Sequence, residues 1–134
     1  MNYDNKPDFS GSYVLNREAS TLSPFAGAIQ TGSMQIKHSE PRFHFRVRYM
    51  VHDQPLEFTF ELPTDGSESQ IVEDGESTTI SLQWDGNALI FVERNHGMVT
   101  FRHELLEAGR VLRVNEQNRG MGRDQDNIFI FEKE

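Results

Sequence analysis

The chain has 134 residues, a length that holds one domain around one core and leaves no room for two. Acidic residues outnumber basic ones 21 to 13, and the net charge of −8 argues against a nucleic-acid binder, which needs clustered positive charge to displace counterions. There is no cysteine, so disulfide scaffolds, thiol chemistry and cysteine metal sites are excluded, and no apolar run approaches membrane-spanning length.

Residues 1–8 form a polar arm without the apolar stretch of a secretory leader, so a cytoplasmic location is expected. A first strand is predicted over 9–15. The segment 16–32 then reads as a cap. Ser23 before Pro24 makes a helix start, and Phe25 and Ile29, four apart, give one apolar stripe before Gly32. A short helix over 23–30 is therefore predicted between strands one and two, closing one mouth of a barrel.

From Met34 onward the signal is alternation. Met34, Ile36 and His38 share a face. On the next strand Phe43, Phe45, Val47, Tyr49 and Val51 alternate with Arg42, His44, Arg46 and Arg48. Leu56, Phe58, Phe60 and Leu62 repeat the pattern against Glu57, Thr59 and Glu61. A loop at 39–42 pairs His38 with Phe43 and Ile36 with Phe45. A loop at 52–55 would set Val51 against Leu56, Tyr49 against Phe58 and Val47 against Phe60, with Arg46 opposite Glu61 and Met50 opposite Glu57. Further strands are predicted over 69–72, 78–84, 88–94, 98–106, 111–117 and 127–132, separated by turns such as Asp74-Gly75 and Asp85-Gly86. The result is one all-β domain spanning 1–134, an antiparallel up-and-down barrel of about ten strands whose closure removes exposed edges.

Several segments then resemble a known superfamily. The opening Phe9-Ser10-Gly11-Ser12-Tyr13-Val14-Leu15 is similar to the Phe-x-Gly-Thr-Trp-Lys-Leu start of fatty-acid-binding proteins and lipocalins. Ser77 to Leu82, Glu104-Leu105 and Phe131-Glu132-Lys133 resemble the second half of the intracellular fatty-acid-binding proteins. The whole chain is similar to a group of small bacterial lipocalin-like proteins with comparable Trp-Asp-Gly and final Phe-Glu-Lys segments. The resemblance implies a calycin-type barrel. It also implies a departure, because the Arg-x-Tyr pair that holds a carboxylate in fatty-acid-binding proteins matches Phe129 and Phe131 here, and a second arginine of that family matches His103.

The expected function is non-catalytic binding of a small hydrophobic or amphipathic molecule inside the barrel. Alternation places Met34, Ile36, Phe45, Val47, Tyr49, Phe58 and Phe60 inside from the first half. It adds Leu82, Trp84, Phe91, Phe101, Leu112, Phe129 and Phe131 from the second, with Phe25 and Ile29 on the cap. His103 falls on the same inward face as Val99, Phe101 and Leu105 and is the one polar handle expected for a ligand, against its reading as a core histidine bonded to a neighbouring strand. His38, near a turn, is expected at a barrel mouth.

No catalytic residue, metal-ligand set or cofactor is expected, since no nucleophile elbow or zinc spacing occurs. The arginine stripe on the second barrel hairpin reads as a charge-paired exterior, and the glycine-rich 119–123 as a hairpin loop. Ile90 and Val92 point opposite to Leu89 and Phe91. A bulge, cover by the N-terminal arm or a homodimer contact would account for them, and the homodimer is favoured. Two alternatives to a binding barrel stand: a barrel filled by its own aromatics that acts as a protein-interaction domain, and an enzyme or haem protein built around an inward histidine.

Overall fold

The period-two pattern becomes ten antiparallel strands in the computed structural model, which describes residues 6–120 and 124–134. In chain order these are β1 (Gly11–Leu15), β2 (Ile29–Ser39), β3 (Arg42–Val51), β4 (Gln54–Pro63) and β5 (Ser69–Glu73). The second half adds β6 (Glu76–Asp85), β7 (Ala88–Arg94), β8 (Met98–Leu106), β9 (Val111–Arg119) and β10 (Gln125–Lys133). One sheet runs in the order β4-β3-β2-β1-β10-β9-β8-β7-β6-β5. The start of the predicted N-terminal arm and Met121, Gly122 and Arg123 of the predicted glycine-rich loop lie outside the described residues.

The sheet begins at β4 and ends at β5, so one seam of the barrel has no strand ladder. The loop after β4 crosses it at one end. Asp65 bridges Gln83 of β6, and the Gly66 N–H donates to the Leu82 carbonyl at 2.9 Å. At the other end β5 is only five residues long, and the inward side chains of β4 that it would cover, Leu56 and Phe58, stay 46% and 43% exposed. The barrel therefore has a closed end and an open end.

The closed end is where the core sits. Phe9, Tyr13, Phe43, Leu62, Leu82, Leu89, Leu112 and Phe131 are buried there. Phe9, His38, Phe43 and Trp84 pack ring against ring, with centroids 5.1–6.0 Å apart. Below the rings lies Glu40, in the β2–β3 turn. Its Oε1 is 2.6 Å from His38 Nε2, and its Oε2 accepts from Thr64 Oγ1 at 2.9 Å and Trp84 Nε1 at 3.2 Å. The Phe9 N–H donates to His38 Nδ1 at 3.1 Å, which leaves the ring proton on Nε2 for Glu40. His38 thus belongs to the plug of the closed end rather than to a mouth.

Further expectations change in detail. The β3–β4 turn is two residues, His52 and Asp53, both at positive φ (51° and 61°), the type I′ geometry that suits strand twist. Val51 therefore pairs with Gln54, Tyr49 with Leu56 and Val47 with Phe58. Arg46 lies opposite Thr59 instead of Glu61, and Met50 opposite Pro55 instead of Glu57. The slip is two residues, an even number, so every side chain keeps its face. Arg46 still reaches Glu57 at 2.7 Å and Arg42 reaches Glu61 at 2.8 Å, both along diagonals. By contrast, the β2–β3 register, with His38 on Phe43 and Ile36 on Phe45, is as the sequence predicts.

The capping helix is shorter than expected, a single 3-10 turn at Ala26–Ala28. Ile29 is already the first residue of β2, because a strand ladder secures each backbone group where a short isolated helix would not. Ser23 does not cap with its hydroxyl, which bonds Gln125 Oε1 at 3.0 Å. Gly32 ends no helix. It faces Tyr49 across the β2–β3 ladder, and a Cβ there would come within 2.8 Å of that ring. The first strand begins at Gly11 rather than Phe9, which turns inward to plug the barrel.

Two acidic positions test this division of labour. Glu40→Ala strands three hydrogen-bond donors at the closed end, His38 and Thr64 buried and Trp84 partly so, and should cost about 3–5 kcal/mol. Glu57→Ala breaks a pair between half-exposed side chains and should cost under about 1 kcal/mol. Urea unfolding midpoints of the two variants measure the difference, and equal losses would mean that Glu40 does not hold the closed end.

Candidate functional site

Above the plug the barrel is hollow, with a cavity of about 780 Å3. Its walls follow from strand register, because residues paired across neighbouring strands stand at one height. The lowest tier is His103, Val114 and Phe129 on β8–β10, while Leu89, paired with His103 on β7, is packed in the core. The next is Phe91, Phe101, Glu116 and Asn127, and the rim tier is Glu93, Val99, Asn118 and Gln125. This wall changes from apolar at depth to polar at the rim. The facing wall, from β2 to β4, stays apolar with Met34, Phe45, Val47, Val51, Leu56 and Phe58, and Tyr49 is its one polar side chain. Phe25, Ala26 and Ile29 lie over the top.

The residues predicted to face a ligand divide between two regions. Phe25, Ile29, Met34, Phe45, Val47, Tyr49, Phe58, Phe91, Phe101, His103 and Phe129 line the cavity. Ile36, Phe60, Leu82, Trp84, Leu112 and Phe131 do not, and pack in or against the core. Sequence reasoning missed the polar arc of Glu93, Glu116, Asn118, Gln125 and Asn127. The signal was present, since the alternation that puts Leu112 inside continues through Val114 to Glu116 and Asn118. The same step of two runs from Phe131 back to Asn127 and Gln125.

His103 is 2% exposed. Its Nδ1 lies 3.4 Å from the Leu89 carbonyl, and since a carbonyl only accepts, the proton sits on Nδ1. Nε2 is then an acceptor, without a hydrogen-bond partner among the described residues. Burial pushes the imidazole down to about 4, against the weaker upward pull of the Leu89 and Phe101 carbonyls, so the ring is neutral at pH 7.

Tyr49 stacks against Phe129 at 6.0 Å, and burial, aided by the nearby Glu116 carboxylate, raises its phenol well above the ordinary range. Glu116 accepts from Asn127 Nδ2 at 3.0 Å, and burial raises its carboxyl despite that bond. Asn127 Oδ1 in turn accepts from the Ser23 N–H at 2.6 Å, tying the cap segment to the polar wall. Among the described residues no lysine or arginine lines the cavity. Ile90 and Val92 face outward on β7, half-buried, on a ladder without register shifts, which removes the bulge explanation.

No family model matches the chain, and no curated protein sequence does. Solved structures do match. The REP1-NXSQ fatty acid transporter superposes with a TM-score of 0.65 at 14% identity, over 95% of this chain and 96% of that one. Secretory abundant heat soluble protein 4 from Ramazzottius varieornatus gives 0.66 at 15%, over 100% and 99%. Lipid binding protein 8 of Caenorhabditis elegans, in its apo form, gives 0.65 at 14%, over 94% and 95%. The chain thus has the calycin-type barrel fold of fatty-acid-binding proteins, and at such identities the likeness reaches the fold alone.

The histidine yields a pH test. An unfolded chain protonates His103 near 6.5 and the folded barrel near 4, so on acidification the unfolded state takes the proton first. The stability from this group is complete above pH 6.5, falls as pH drops toward 4 and levels off below. The loss should reach roughly 3 kcal/mol. Urea unfolding at pH 7 and pH 4.5 should show it in the wild type, and His103→Leu should lack that part of the slope.

Proposed function

We propose that the barrel binds a small hydrophobic or amphipathic molecule in this cavity without transforming it. The carrying observation is the cavity itself, about 780 Å3 with apolar walls and a few placed polar groups, the size and make-up of small-molecule sites. That volume speaks against a barrel filled by its own aromatics. An enzyme built on His103 is the weaker reading, because no serine or threonine among the described residues lines the cavity for such a base to activate. The shared fold of a fatty acid transporter and a lipid binding protein supports binding of an apolar molecule but names no ligand.

The polar groups argue for a ligand unlike a fatty acid. Phe129 lines the cavity and Phe131 lies in the core beneath, so the two positions of the expected carboxylate clamp offer no charge. Glu116 adds a carboxylate to the same space. Self-association through Ile90 and Val92 is our proposal for the outer face of β7, and sedimentation of Ile90→Lys against wild type tests it by loss of a dimer.

For the cavity, a neutral environment-sensitive dye should enter and gain fluorescence. Val114→Trp, which fills the lowest tier, should remove most of that gain, and long-chain fatty acids should displace the dye poorly. His103→Leu should weaken hydroxyl-bearing ligands by about 1–3 kcal/mol relative to purely apolar ones, the cost of one lost buried hydrogen bond. If no dye enters the wild type, the filled-barrel reading replaces this one.

A further inference from the structure

The polar wall carries the Glu116 carboxylate, and among the described residues no lysine or arginine lines the cavity. Glu116 stands halfway up β9, paired with Asn127 on one side and Phe101 on the other. Asn127 holds its Oε1, and its Oε2 has no partner among the described residues. Glu93 lines the space one tier higher. Two further side chains turn unbonded polar atoms to the same cavity: His103, with its Nε2 lone pair, and Tyr49, whose hydroxyl has no hydrogen bond among the described residues. A carboxylate kept in apolar surroundings without a counter-charge is costly, and burial accordingly raises the Glu116 carboxyl.

We propose that the molecule bound here is a lipophilic amine, whose ammonium donates to Glu116 and whose apolar body lies against Phe45, Phe91 and Phe129. This deepens the ligand-binding reading and rests on it. An ammonium brings donors for the unpartnered Glu116 oxygen and a positive charge where, among the described residues, no lysine or arginine lines the cavity. An alcohol offers one donor and leaves the charge uncompensated. A carboxylate adds a second negative charge in a low-dielectric space, where like charges repel strongly.

The test uses a chain-matched series, decylamine, decanol and decanoate, competing for the neutral dye on the wild-type protein at neutral pH. Decylamine should displace it at about tenfold lower concentration than decanol, as a charge-assisted bond over a neutral one predicts, with decanoate the weakest. E116Q keeps the shape and removes the charge, so the amine-to-alcohol ratio should collapse toward one. An amine no better than decanol in the wild type, or a ratio that survives E116Q, overturns the assignment. Should E116Q fail to fold, the 13C shift of the Glu116 carboxyl in the wild type decides: it should move with decylamine and not with decanol, and an unmoved signal overturns the proposal. If neither dye nor any of the three compounds binds, the ligand-binding reading itself fails. Dye entry with displacement by decanol but no amine preference defeats the amine alone.

Discussion

The Glu40 carboxylate is the knot on which the barrel depends. No ladder joins β4 to β5, so hydrogen bonding along strands leaves the sheet open at that seam. One carboxylate in the β2–β3 turn accepts from His38, from Thr64 beyond the end of β4 and from Trp84 on β6, which lie on both sides of the seam. Hydrogen bonds to a charged acceptor in a dry site are the stronger kind, and each donor here would be costly to leave buried and unpaired. The aromatic plug of Phe9, Phe43 and Trp84 packs beside that network and leaves it part-buried.

Closing one end so firmly lets the other end stay loose. The residues with least exposure, among them Phe9, Phe43, Leu82 and Leu112, gather at the closed end, while the walls above enclose empty space. An interior packed at the usual density throughout would leave no such volume. The packed core and the empty space are therefore separated along the barrel axis. The cap segment joins the two halves through Asn127, which takes the Ser23 N–H and gives its amide proton to Glu116. A molecule that engages Glu116 thus touches the strap that covers the mouth.

The electrostatics of the cavity follow from what the barrel excludes. Arginines are plentiful on the outer face of β3, where they pair with Glu57 and Glu61 under solvent screening. Inside, a histidine is held neutral by burial and the Glu116 carboxyl is raised by its surroundings, and among the described residues no lysine or arginine lines the cavity. Fold and ligand chemistry are set by different side chains, the first by alternation around the barrel and the second by the few inward positions that break it.

The sequence by itself determined the strands, their faces and the barrel they form, because inward and outward alternate with a period that neighbouring residues express locally. Ile36 against Phe45 was legible for that reason. Tyr49 against Leu56 was not, because a slip of two preserves every face, and the turn at His52-Asp53 has no glycine to announce it. Glu116 and Asn127 were passed over because polarity was read as outward, although their parity with Leu112 and Phe131 placed them inside. Only the tertiary structure decided which inward residues meet and which leave space between them. Phe101 and Phe131 have the same chemistry and the same orientation on their strands, yet one lines a cavity and the other is fully packed. That difference depends on the summed volumes of side chains from strands far apart in sequence, and no local pattern records such a sum.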